Sequence, residues 1–114
     1  MSALVLATLA LGALAAPLSV QAQGYRSCEP VRNPYPDSRY EDVDLTRIRA
    51  LGVSCRGARR VARRAHYKAL GLGPPVAGPI RRFTWRSWNV TGDLRGSHDR
   101  YVARWGARRV RWRF

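Results

Sequence analysis

Arg100-Tyr-Val-Ala-Arg-Trp-Gly-Ala-Arg-Arg-Val-Arg-Trp-Arg-Phe114 sets the architecture of the chain. Apolar and charged residues alternate on both sides of Gly106-Ala107, as in two half-buried strands joined by a tight turn. A two-residue loop pairs Ala103 with Val110 and Tyr101 with Trp112, which places all four on one face. Arg104 then faces Arg109, and Val102 faces Arg111, on the other. A slip of one residue would carry arginines into the core, and glycine at the first loop position suits a type II′ turn.

Upstream, Thr91 to His98 reads as a turn-rich connection. Ile80 to Trp88 has a period of two: Phe83, Trp85 and Ser87 share one face, while Arg82, Thr84, Arg86 and Trp88 share the other. This makes a single strand that leaves Trp88 on the outside. Gly71 to Pro79 is a loop by composition. Ser54 to Leu70 is a helix, with Ser54 as its N-cap and Gly71 as its stop. Its stripe of Cys55, Ala58, Ala62, Ala65 and Ala69, with Val61 beside it, lets it sit close to a sheet. His66 lies at the stripe's edge. Arg56, Arg59, Arg60, Arg63, Arg64 and Lys68 form a basic ridge opposite. Val43 to Arg49 is a short strand. The expected fold is α+β: one helix on an antiparallel sheet of three to four strands, over residues 40–114. Residues 23–39, with Pro30, Pro34 and Pro36, form an irregular arm held only through Cys28.

Residues 3–16 are almost wholly apolar, and Val20-Gln21-Ala22 places small residues before a cut. We read 1–22 as a signal peptide cleaved after Ala22. It departs from the usual pattern in having no Lys or Arg ahead of the apolar run. The competing reading, an uncleaved anchor, needs roughly 20 apolar residues, and this run ends sooner at Pro17. The expected location is therefore secreted or associated with the cell envelope, with no transmembrane span in the mature form. In an oxidising compartment, Cys28 and Cys55 read as a disulfide; the alternative is two unrelated buried thiols.

The chain has 114 residues, 21 of them Lys or Arg against 7 Asp or Glu, for a net charge of +14. Such a surplus favours anionic partners. Lys68 is the only lysine, a bias that GC-rich codon usage also produces without any ligand.

Gly52-Val-Ser-Cys55, Ala58-Arg-Arg-Val61-Ala62-Arg63, a Gly/Pro loop, an aromatic strand and the closing Tyr-Val-x-x-x-Gly-x-x-x-Val-x-Trp-x-Phe resemble small exported proteins of unknown function common in high-GC Gram-positive bacteria. The resemblance spans roughly Cys28 to Phe114. It implies an early cysteine paired with the helix-start cysteine, here Cys28 with Cys55. It also implies a second pair at positions held here by Trp85 and Ala103, a large and a small residue expected to face each other and fill that space. It brings no catalytic residues.

No catalytic constellation is evident. Ser97-His98-Asp99 holds the right residue types, but adjacency in a loop does not build a triad. Cys28, Cys55, His66 and His98 are too scattered for zinc. Glu41, Asp42 and Asp44 lack the glycine and terminal glutamate of a calcium loop. We therefore expect a non-enzymatic protein with no metal and no cofactor. The expected anion-binding residues are Arg59, Arg60, Arg63, Arg64, Arg109, Arg111 and Arg113, set beside aromatics that can stack. The expected partners are an anionic polymer or surface of the cell envelope, or nucleic acid. Two alternatives stand beside this reading: a protein-interaction module, an inhibitor or accessory subunit working through an exposed Trp88 and the loops, and a cationic membrane-active factor.

Overall fold

In the computed structural model, which describes residues 24–74 and 78–114, the closing hairpin has the expected register. Its strands β5 (Arg100–Trp105) and β6 (Arg108–Arg113) pair Tyr101 with Trp112, Val102 with Arg111, Ala103 with Val110 and Arg104 with Arg109. Gly106 takes φ +60° while Ala107 stays at negative φ, as a type II′ turn requires. The expected leader, residues 1–22, lies outside the described residues.

Among the described residues the order is β1 (Arg26–Ser27), β2 (Thr46–Leu51), α1 (Cys55–Gly71), β3 (Ile80–Trp85), β4 (Trp88–Asp93), β5 and β6. The sheet runs β1-β2-β6-β5-β4-β3, antiparallel throughout. Among the described residues the fold is α+β with one helix, as expected, but six strands replace three or four. Two elements account for the difference. Residues 80–88 are not one strand: the chain reverses at Arg86-Ser87, so that Trp85 pairs with Trp88 and β4 runs back through the expected turn at Thr91-Gly-Asp93. The arm is also not tied through Cys28 alone. Arg26 and Ser27 pair with Ala50 and Arg49, and Val31 bridges Leu45.

One face of the sheet is apolar because alternation and a bulge cooperate. Ala50, Val90, Ala103, Val110 and Trp112 point toward α1 and are buried. In β2, Arg47 and Ile48 together oppose Trp112, with Arg47 at φ +53°. That extra residue resets the alternation, so Leu45 and Ile48 both reach the core. α1 starts where Ser54 Oγ accepts the Gly57 N–H at 3.1 Å. It lays Ala58, Val61, Ala62, Ala65 and Ala69 on the sheet, the small side chains permitting close approach. Cys28 and Cys55 are disulfide-bonded, Cα to Cα 5.4 Å, joining the arm to the first turn of α1.

His66 is not at the edge of the stripe. It is 1% exposed, and its Nδ1 accepts the Trp112 Nε1–H at 3.0 Å. Tyr101 and Trp112 stack in parallel beside it, with centroids 5.3 Å apart. Tyr101 lies over Gly92, its cross-strand partner, where any Cβ would collide with the ring. The expected contact of Trp85 with Ala103 is absent, because β4 lies between their strands; Ala103 packs between Val90 and Val110 instead.

Candidate functional site

The seven expected arginines do not form one field. Those of α1 lie on the outer side and flanks of the helix, while those of β6 lie on the sheet's opposite face, which no described helix covers. Period-two alternation forces this second placement: Val110 and Trp112 face α1, so Arg109, Arg111 and Arg113 face out.

On the helix, Arg59 is committed to structure. Its Nε and Nη2 donate to the carbonyls of Glu29 and Pro30, at 3.1 and 3.2 Å, and hold the arm in place. Arg60, Arg63 and Arg64 are exposed. On the hairpin, Arg109 folds back onto the carbonyls of Gly106 and Arg108 at the turn. Arg111 stacks on the Tyr25 ring, 4.2 Å from its centroid. Arg113 Nε is buried and has no hydrogen-bond partner.

The outer sheet face is more basic than the expected set. Arg49, Arg82, Arg100 and Arg104 join it, through the same alternation on β2, β3 and β5. Register places Arg49 opposite Arg111, Arg100 opposite Arg113 and Arg104 opposite Arg109. Like charges directly opposed across strands destabilise a sheet, and here three such pairs share one face. Asp93, opposite Arg100 on the neighbouring strand, puts a carboxylate on this face, and it is bound to Arg95. That hydrogen-bonded guanidinium holds the Asp93 carboxyl down at about 2. Among the described residues there are two ion pairs, Arg32–Asp44 and Arg95–Asp93, and neither involves an opposed arginine.

Trp88 is not on the outer face. It is 6% exposed, turned inward at the start of β4 with its ring edge-to-face on Trp105 at 5.6 Å. Trp105, at 44%, is the exposed tryptophan. Its face is covered by the Arg108 guanidinium, 4.5 Å from the ring centroid. Trp85 carries Arg86 in the same way at 5.2 Å. These side chains, with Arg60 and Arg64 of α1, line a groove of about 690 Å³ between the helix and the tips of both hairpins. Sequence reading missed the groove because it missed the turn at Arg86-Ser87.

No protein-family model, curated protein or solved structure matches the chain. Ser97, His98 and Asp99 make no side-chain hydrogen bond to one another among the described residues; Asp99 instead exchanges backbone hydrogen bonds with Phe114. Burial raises the Asp99 carboxyl. Burial also lowers His66, to about 3, with Arg81 adding to the effect. Tyr35 and Tyr101 are raised by burial, Tyr101 to about 12. Among the described residues, no three of His, Cys, Asp and Glu gather into a metal-ligating set, and no helix is long and apolar enough to cross a membrane.

Proposed function

We propose that this is an exported, non-enzymatic protein that binds anionic polymers at the cell envelope through its outer sheet face. The observation that carries the reading is the set of three opposed arginine pairs, Arg49–Arg111, Arg100–Arg113 and Arg104–Arg109, on a face that no described helix covers, with Arg109 and Arg113 half-buried in it. A bound polyanion relieves the repulsion within each pair and supplies charged acceptors to the guanidinium groups, of which, among the described residues, only Arg100 has a carboxylate, Asp93, opposite it across the strands. The disulfide and the lack of a membrane-spanning helix among the described residues are compatible with an extracellular location. Burial of Trp88 takes that side chain out of the protein-interaction reading and leaves the loops as its basis.

Retention on immobilised polyphosphate and on single-stranded DNA at graded salt tests the proposal. Six phosphate contacts imply a fall of about a thousandfold in affinity between roughly 50 and 200 mM salt. Affinity that stays flat over that range rejects it. Preference for DNA over polyphosphate at equal charge would move the ligand from envelope polymer to nucleic acid.

A further inference from the structure

The groove between α1 and the two hairpin tips has a character that the outer face lacks. Among the described residues four arginines line it, Arg60, Arg64, Arg86 and Arg108, and no carboxylate does. Among the described residues, none of these four guanidinium groups donates a hydrogen bond to the protein. Two of them are pre-positioned: Arg86 lies over Trp85 and Arg108 over Trp105. Stacking occupies a guanidinium's face and leaves its in-plane N–H groups free, so each becomes an oriented fork for a tetrahedral oxyanion. Arg86 also holds φ +54°, at a turn position that glycine occupies without strain. Backbone of this kind is held by the structure around it and clusters at ligand sites.

We propose that this groove binds a phosphoryl group of high charge density, such as a phosphate monoester or pyrophosphate. Arg86 and Arg108 supply the oriented forks, and Arg60 and Arg64 supply further charge from the helix. The remainder of the ligand lies along the exposed part of Trp105. A planar carboxylate carries one charge and offers fewer acceptors to four guanidinium groups, so it binds more weakly. The site is independent of the outer face and shares no residue with the opposed arginine pairs.

Titration with inorganic pyrophosphate, followed by calorimetry and by the tryptophan indole N–H resonances, tests it. Saturable one-to-one binding is expected, with the Trp105 indole shifting. Arg108→Lys keeps the charge but loses the fork, and should weaken binding about tenfold or more. Trp105→Leu keeps every charge yet removes the stack, and should weaken it as well. Unchanged affinity in Trp105→Leu, or acetate binding as tightly as pyrophosphate, would overturn the proposal. Arg111→Ala, on the outer face, should leave pyrophosphate binding unaltered while weakening retention on long polyphosphate. If long polyphosphate binds and pyrophosphate does not, the groove proposal fails and the polymer reading stands. Saturable pyrophosphate binding without salt-sensitive polymer retention leaves the groove standing and removes the polymer reading.

Discussion

Replacing His66 with asparagine should remove a large part of the protein's sensitivity to acid. In the folded state Nδ1 accepts from Trp112, which places the ring proton on Nε2, and that buried Nε2 has no partner. Tyr35, Tyr101 and Phe114 surround the ring, with centroids 6.1, 4.9 and 4.1 Å away, and Arg81 adds positive charge nearby. Burial of the cation without a counterion, with the Arg81 charge adding to it, is why the folded group sits at about 3 against an ordinary 6.5; protonation of Nδ1 would also break the Trp112 bond. As pH falls below the ordinary value, the unfolded chain takes up a proton that the folded chain refuses, so stability declines. Each pH unit is worth about 1.4 kcal/mol, so the loss reaches about 2 kcal/mol at about pH 5. It levels off at about 5 kcal/mol, once the folded imidazole itself titrates. Asparagine keeps an oxygen acceptor and has no such proton to gain. Urea unfolding followed by tryptophan fluorescence, at neutral pH and at about pH 5, measures the difference. His66→Asn is less stable at both values, but its loss between them should be smaller than that of the parent by about 2 kcal/mol. An equal loss in the two proteins would refute the reasoning.

Three further outcomes follow from the packing. Replacing both Cys28 and Cys55 with serine opens a link across 27 residues of chain. It should cost about 3.5 kcal/mol, read as a lower urea midpoint that reductant reproduces in the parent. Gly92→Ala places a methyl group against the Tyr101 ring and should destabilise by about 1–3 kcal/mol, seen in the same unfolding curves. Arg111→Glu converts the Arg49–Arg111 opposition into an attractive pair. It should raise stability by a few tenths of a kcal/mol, roughly the value of an exposed cross-strand pair, while weakening polyphosphate binding.

The hairpin and the helix were legible because each carries its own punctuation. Gly106 marks the β5–β6 turn, and the match of Tyr101 to Trp112 and Ala103 to Val110 admits one register. Ser54 marks the start of α1, and its alanines mark the buried side. The elements that were not legible break those rules locally. The β3–β4 turn holds Arg86 at positive φ where a glycine would have announced it. Gly92 looks like a turn residue, but it is a strand position kept bare for the Tyr101 ring. The arm's pairing with β2 involves two residues and one isolated bridge, too short to show a period. His66 was misplaced because its burial depends on Trp112, 46 residues away in the chain. Arg81 gave no local signal either: it is buried and donates to the carbonyls of Ala69 and Gly73, closing the end of α1. The arginines of β6 were legible as a set, but their partners Arg49 and Arg100 emerge only once β2 and β5 flank that strand.

Under the proposed function, the opposed arginines of the outer face, faced among the described residues by one cross-strand carboxylate, Asp93 opposite Arg100, are set to receive a polyanion. Affinity for long-chain polyphosphate, measured at roughly 50 and 200 mM salt for the parent and for Arg111→Glu, puts this to the proof. Steep weakening with salt is expected in the parent, with the variant binding less tightly and responding less to salt. Tight binding that is indifferent to salt, or a variant that binds as the parent does, would contradict it.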